Sequence, residues 1–139
     1  MAYDEITRRK IYDRTDGRCH ICGKKLSFIN YGKMGKRGAW EIDHSRPRSK
    51  NGSENLNNLY ASCISCNRTK GTFASQTARS WYDRKKAPLS KVKRKEVKFT
   101  NAVLGGIAGL LFGLYVSPFV ALVGSIVGVK IGYDVDPDK

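Results

Sequence analysis

Histidine is scarce in this chain. Only His20 and His44 occur among 139 residues, so any chemistry that needs an imidazole must use one of these two. Acidic residues are also few, 12 Asp and Glu against 26 Lys and Arg, for a net charge of +14. The shortage is uneven. Residues 1–82 carry 16 basic and 7 acidic side chains, residues 83–100 carry 8 and 2, and residues 101–139 carry 2 and 3. A basic front with a nearly neutral tail points to a polyanionic partner, either nucleic acid or an anionic membrane surface. A soluble surface that merely happens to be basic is the plain alternative. The opening "MAYDEITRRK" has two acids and no apolar run, so no removed secretory leader is expected, and the basic part is expected in the cytosol.

There is no surplus cysteine. Cys19 and Cys22 stand in "CHIC", Cys63 and Cys66 in "CISC". Disulfides are disfavoured in a reducing cytosol, and a thioredoxin-like redox motif would use one C-x-x-C, not two. Two such knuckles read as one tetrahedral zinc site with four thiolates. Gly17 and Gly23 supply turn freedom around the first knuckle. Lys24, Lys25 and Arg68 would offset the excess negative charge of four thiolates around a doubly charged ion. Four protein sulfurs leave no open coordination position, so this zinc is expected to be structural, stapling a small domain. Any chemistry must lie elsewhere, and the segment between the knuckles holds the pair Asp43-His44.

Local patterns give a coarse layout. "YDEITRRKIYDRT" places Ile6 and Ile11–Tyr12 on a helical face that ends at Asp16-Gly17. "LSFIN" reads as a strand, "YGKMGKRG" as a hairpin loop, and "AWEIDH" as a second strand with Trp40 and Ile42 on one face. "SRPRSKNGSEN" is a loop, "LNNLYASC" leads to the second knuckle, and "CNRTKG" begins a short helix closed by Gly71. The expected order is strand, strand, loop, helix.

The run "EIDHSRPRSKNGSENLNNLYASCISCNRTKG" resembles the core of the HNH endonucleases, in the subgroup with two C-x-x-C knuckles. An Asp-His at a strand end, a loop with Pro and Gly, an Asn-Leu, and a C-x-x-C-Asn followed by a basic residue and Gly all occur in order. The coincidence of several features at fixed offsets makes the likeness specific. It covers residues 5–85 and leaves the tail unexplained. It implies an α+β fold, a small ββα-metal domain stapled by zinc. It also implies DNA as the substrate and divalent-metal-dependent phosphodiester hydrolysis as the reaction.

The resemblance assigns His44 as the catalytic histidine, Asp43 as a ligand of the catalytic cation, Asn58 as the central asparagine and Asn67 as the final position. Much of the family has histidine at that last position. An asparagine there offers a carbonyl oxygen suited to a hard cation, so magnesium or manganese is expected rather than zinc. Neutral His44 can take a proton from water near physiological pH. Asn58 is expected to orient His44 through a hydrogen bond. Neighbouring strand residues point to opposite faces, so a bend or strand end at "DHSRP" is expected to let Asp43 and His44 converge. Arg46, Arg48 and Lys70 are candidates for contacts to the DNA backbone. His20 is expected to be an exposed knuckle residue without a role. Glu41 shares a face with Asp43 and is left outside the site. Lys36 and Arg37 could touch DNA, although a solvated loop explains them equally well.

Residues 86–100 form a basic connector after the 1–85 nuclease segment. It either extends the DNA footprint or lies against a cytoplasmic leaflet. Beyond it, no charged residue occurs from Ala102 to Val129, a run longer than the roughly 18 apolar residues that already suggest a membrane span. Residues 101–133 are therefore expected to be a membrane-inserted helical tail in contact with lipid, followed by an acidic segment, 134–139. A soluble hairpin buried against the nuclease is the alternative. The basic run keeps the nuclease cytoplasmic. Gly105, Gly109 and Gly113 recur every four residues, as do Gly124, Gly128 and Gly132, and such small-residue stripes permit close helix contact or joining of copies into a homo-oligomer. Ser117-Pro118 interrupts them. A straight helix would turn one stripe about 100° from the other, whereas two helices could face them together. A single span and a hairpin both remain open, with two segments favoured.

Together these features describe a metal-dependent HNH endonuclease tethered to the cytoplasmic face of a membrane, acting in defence against incoming DNA. The alternatives are a non-catalytic DNA-binding membrane tether and a membrane-active oligomerising protein regulated by its zinc domain.

Overall fold

A computed structural model describes residues 3–138 of the chain, the side chains of 118 and 119 excepted. Residues 1 and 2, which open the expected nuclease segment, and Lys139, the last of the expected acidic tail, lie outside them. The chain divides into two compact units, Met1–Lys91 and Val92–Lys139.

The first unit is α+β. Helix α1 (Glu5–Asp13) starts where the Asp4 side chain accepts a hydrogen bond from the Thr7 amide at 2.7 Å, satisfying one of the free N–H groups of the first turn. Of the apolar residues expected on one face, Ile11 is fully buried, whereas Ile6 is 68 % exposed. Five positions apart, the two lie about 140° from each other around the helix. The chain then turns through Asp16 and Gly17, both at positive φ.

The sheet has two strands, β1 (Trp40–His44) and β2 (Leu59–Cys63), antiparallel in an unbroken register from Trp40 opposite Cys63 to His44 opposite Leu59. The strand expected at "LSFIN" is instead a 3-10 turn, Phe28–Asn30. The partner of β1 comes after the loop rather than before it, so the order is strand, loop, strand, helix. An aromatic cluster accounts for this choice. Trp40 is fully buried, with the rings of Tyr31, Tyr12 and Phe28 centred 4.9, 5.3 and 6.1 Å from its own. The turn delivers Phe28 and Tyr31 to the Trp40 face, where a paired strand could not.

Helix α2 (Ile64–Lys70) follows β2 directly and ends at Gly71, as expected. Helix α3 (Ser75–Ser80) places Ala78 in the core beside Ile11, Ile21, Leu26, Leu59 and Ala61.

The second unit consists of α4 (Lys91–Val116) and α5 (Pro118–Asp134). The basic residues expected to form a connector are in part the first turns of α4. The two helices break at Ser117, whose side chain accepts from the Val120 amide at 3.3 Å and caps α5, with Pro118 in its first turn. The glycine stripes face each other: a Cβ on Gly105 would strike the Gly128 carbonyl, and one on Gly109 the Gly124 carbonyl. Glycine is required there because the backbones themselves touch. The stripes thus face each other within the hairpin, the arrangement expected for two helices. By length and composition α4 is long and apolar enough to cross a membrane, and only 11 % of its apolar window is buried.

Candidate functional site

The four cysteine sulfurs lie within 4.8 Å of one another. The first pair sits on a tight turn, closed by the Gly23 amide on the Cys19 carbonyl at 2.9 Å, and the His20 amide pins that turn to Ala61 of β2 at 2.9 Å. The second pair spans the junction of β2 and α2. Cys22 Sγ and Cys63 Sγ are 3.9 Å apart, close to the roughly 3.8 Å edge of a sulfur tetrahedron around zinc with bonds of about 2.3 Å. The thiols share protons. Hydrogen bonding to Cys22 holds Cys19 down to about 6, while Cys22 and Cys66 are pushed up, each first by its hydrogen bond to Cys19. A cation at the centre would let all four ionise together. The residues fit a structural zinc.

Beside this site lies a groove of about 290 Å³. Asp43, His44, Arg48, Asn67 and Lys70 line it together with Pro47 and Gly71. Strand β1 presents Asp43 and His44, α2 presents Asn67 and Lys70, and the loop after β1 presents Arg48. The loop owes its shape to Asn58. Its Oδ1 accepts from the Arg46 amide at 2.7 Å, and its Nδ2 donates to the carbonyls of Arg46 and Ser53 at 3.0 and 2.9 Å. Gly52 is needed in the same loop, since a Cβ there would overlap the Arg46 carbonyl.

Residues 19–73 match the family model of the HNH endonucleases. This segment is an HNH domain. No solved structure matches the chain.

Within the HNH domain several side chains have partners other than those expected. Asn58 holds the loop through its backbone, and its hydrogen bonds go to Arg46 and Ser53 rather than to the His44 ring. Strand β1 ends at His44 and the chain bends at Ser45 and Arg46, as expected for "DHSRP". Both residues line the groove, Asp43 from within the strand and His44 from its end. Asp43 is 4 % exposed and turned inward. Its Oδ1 accepts from the Lys70 ammonium at 2.8 Å, and its Oδ2 lies 2.7 Å from His20 Nε2. Asn67 donates from Nδ2 to Glu41 Oε2 at 3.0 Å. In this arrangement the Lys70 ammonium holds one Asp43 oxygen, and the Asn67 amide nitrogen is held by Glu41. Lys70, a candidate for a phosphate contact, lies beneath the groove. It is 1 % exposed, and its ammonium is bound to Asp43 and, at 3.0 Å, to the His44 carbonyl.

His20, expected to be exposed, is fully buried and stacks on Tyr60 with ring centres 5.0 Å apart. Burial pushes its pKa down, against the pull of Asp43. Arg79 Nη2 lies 3.1 Å from His20 Nδ1. Arg79 can only donate, so Nδ1 accepts and Nε2–H donates to Asp43. A neutral histidine thereby links the zinc knuckle to the floor of the groove. The signal was in the sequence, since a histidine inside a knuckle stands next to the domain's most constrained turn.

Around His44 the structure adds Glu54 and Tyr3. Glu54 Oε1 lies 3.0 Å from His44 Nε2 and accepts from Arg48 Nε at 2.7 Å, while Oε2 accepts from the Tyr3 hydroxyl at 2.5 Å. Hydrogen bonds from Tyr3 and then Arg48 hold the Glu54 carboxyl down to about 2. Arg46 is exposed and donates from Nε to the Lys50 carbonyl at 2.6 Å. Glu54, in "NGSEN", gave no periodic or spacing signal. It is close to His44 only because the loop folds back.

Proposed function

We propose that this chain is an endonuclease that hydrolyses DNA phosphodiester bonds in the groove beside His44, and that the α4–α5 hairpin holds it at the cytoplasmic face of a membrane. The carrying observation is the groove, which gathers His44, Arg48, Asn67 and the Asp43–Lys70 pair within the segment that matches the HNH family.

In this reading His44 removes a proton from the attacking water. Its imidazole stands at the groove lip with Nε2 directed to Glu54 and Arg48. Arg48, and Arg46 beyond it, meet the phosphate backbone once Glu54 gives way. Lys70 fixes the His44 carbonyl and places a buried positive charge beneath the groove. Asp43 holds Lys70 and, through His20, ties this floor to the zinc knuckle. A divalent ion at Asp43 would have to displace the Lys70 ammonium, so no step is assigned to it. Magnesium or manganese dependence is a readout of the test. The membrane part rests on the uncharged run from Ala102 to Val129 and the basic residues before it. DNA entering the cell is the substrate that such a placement would meet first.

The test is plasmid cleavage by the detergent-solubilised full chain with magnesium, manganese or a chelator. Nicked or linear product is expected. DNA binding without product under every condition would favour a non-catalytic tether.

A further inference from the structure

The hairpin of the second unit carries its charges at one end only. Lys93, Arg94, Lys95 and Lys98 occupy the first turns of α4, and Lys130, Asp134, Asp136 and Asp138 lie at and beyond the last turns of α5. The structure places these two charged stretches side by side. Arg94 is buried, and its Nη1 donates to Asp136 Oδ1 at 3.0 Å while its Nη2 pairs with Asp138. Lys98 Nζ lies 4.8 Å from the centre of the Tyr133 ring. From there toward the turn, Asn101 faces Gly132, Gly105 faces Gly128, Gly109 faces Gly124 and Gly113 faces Ala121. The helices thus stay in register from the charged end to Ser117. Their other faces are apolar and open, with Leu104, Leu111 and Phe112 of α4 and Leu122 and Ile126 of α5 each more than half exposed.

We propose that this hairpin is re-entrant: it enters and leaves the bilayer from one side, and the acidic segment after α5 stays on the nuclease side. The inference rests on the membrane reading above and adds its topology. The occupant of the apolar faces is lipid with anionic headgroups, matched by Lys93, Lys95 and Lys98 at the level where the hairpin emerges.

Four observations carry the topology. Although α4 as a whole is long enough to span, its uncharged part from Phe99 to Val116 is about 27 Å at about 1.5 Å per residue, a little under the roughly 30 Å hydrocarbon core. The turn at Tyr115–Ser117 has no charged neighbour that could hold it among the far headgroups. The Arg94 pairing with Asp136 and Asp138 requires both ends to lie on one side, because a single span would separate them by the full thickness of the bilayer. Ser117-Pro118 also opposes one continuous helix. Proline lacks the N–H that would extend α4 and clashes with the preceding turn, yet it suits the first turn of a new helix.

The test uses the full chain with different epitope tags at its two termini. Membranes are washed at alkaline pH, and protease is applied separately to spheroplasts and to inverted vesicles. The proposal expects the protein in the washed pellet, both tags protected in spheroplasts, and both tags removed in inverted vesicles. Loss of the C-terminal tag alone in spheroplasts would overturn the hairpin topology and leave membrane insertion standing. Release of the protein by the alkaline wash would overturn the membrane reading, and this inference with it.

Discussion

The Lys70 ammonium lies 2.8 Å from Asp43 Oδ1, and both side chains are almost completely buried. The pair joins α2 to β1 directly under His44, and its cost and use are linked. Two buried charges are expensive to desolvate, and removing one partner strands the other. Lys70→Met should therefore lower stability by about 3–5 kcal/mol. Combining it with Asp43→Asn should recover part of that loss, because no uncompensated carboxylate remains. Thermal unfolding of the single and double variants reads the coupling. Additive losses would show that the pair is not a unit.

The zinc site should respond to acid. The Cys19 thiol is held down to about 6 from its ordinary value near 9. A lowered value means that the thiolate form stabilises the fold at high pH and that this stabilisation is lost as pH falls through about 6. Metal binding adds to the same dependence, because protons compete for the sulfurs. Release of zinc to a chromophoric chelator should accelerate as pH is lowered, and Cys63→Ser should leave less than one zinc per chain and an unfolded domain. A folded, metal-free domain would contradict the site.

Glu54 engages both His44 and Arg48. Its removal should free Arg48 for phosphate, so Glu54→Gln should tighten DNA binding several-fold at low salt. The slope of log affinity against log salt should steepen by about 0.9, the value for one further phosphate contact. Titration of labelled duplex DNA at several salt concentrations reads both. An unchanged slope would show that Arg48 does not reach DNA.

Much of the zinc site and the tail was legible because each rests on a strong local pattern. Two C-x-x-C pairs converge on one ion, and Ser117-Pro118 between two glycine stripes forms a hairpin with the stripes inward. The groove was legible as a set of residues but not in its pairing. Asp43 and His44 are adjacent in sequence and both reach the groove, but with different partners. The partners of Asp43, His20 and Lys70, come from a knuckle and a helix far along the chain, so no local pattern encodes them. The "LSFIN" strand was misplaced for a similar reason. Its alternation fits a strand, but the Trp40 ring needs Phe28 and Tyr31 on the same side.

The central claim is that His44 performs the chemistry. His44→Ala removes an imidazole that is 13 % exposed and lies outside the hydrophobic core, so the fold and the zinc site should survive. DNA affinity should change little, because it rests on basic contacts to phosphate. Loss of a general base should slow the chemical step by about 10²–10⁴-fold. The direct measurement is the cleavage rate of wild type and His44→Ala at saturating DNA, with zinc content and DNA affinity measured on the same preparations. The account predicts a rate lower by at least about 100-fold with zinc and affinity unchanged; equal rates would contradict it.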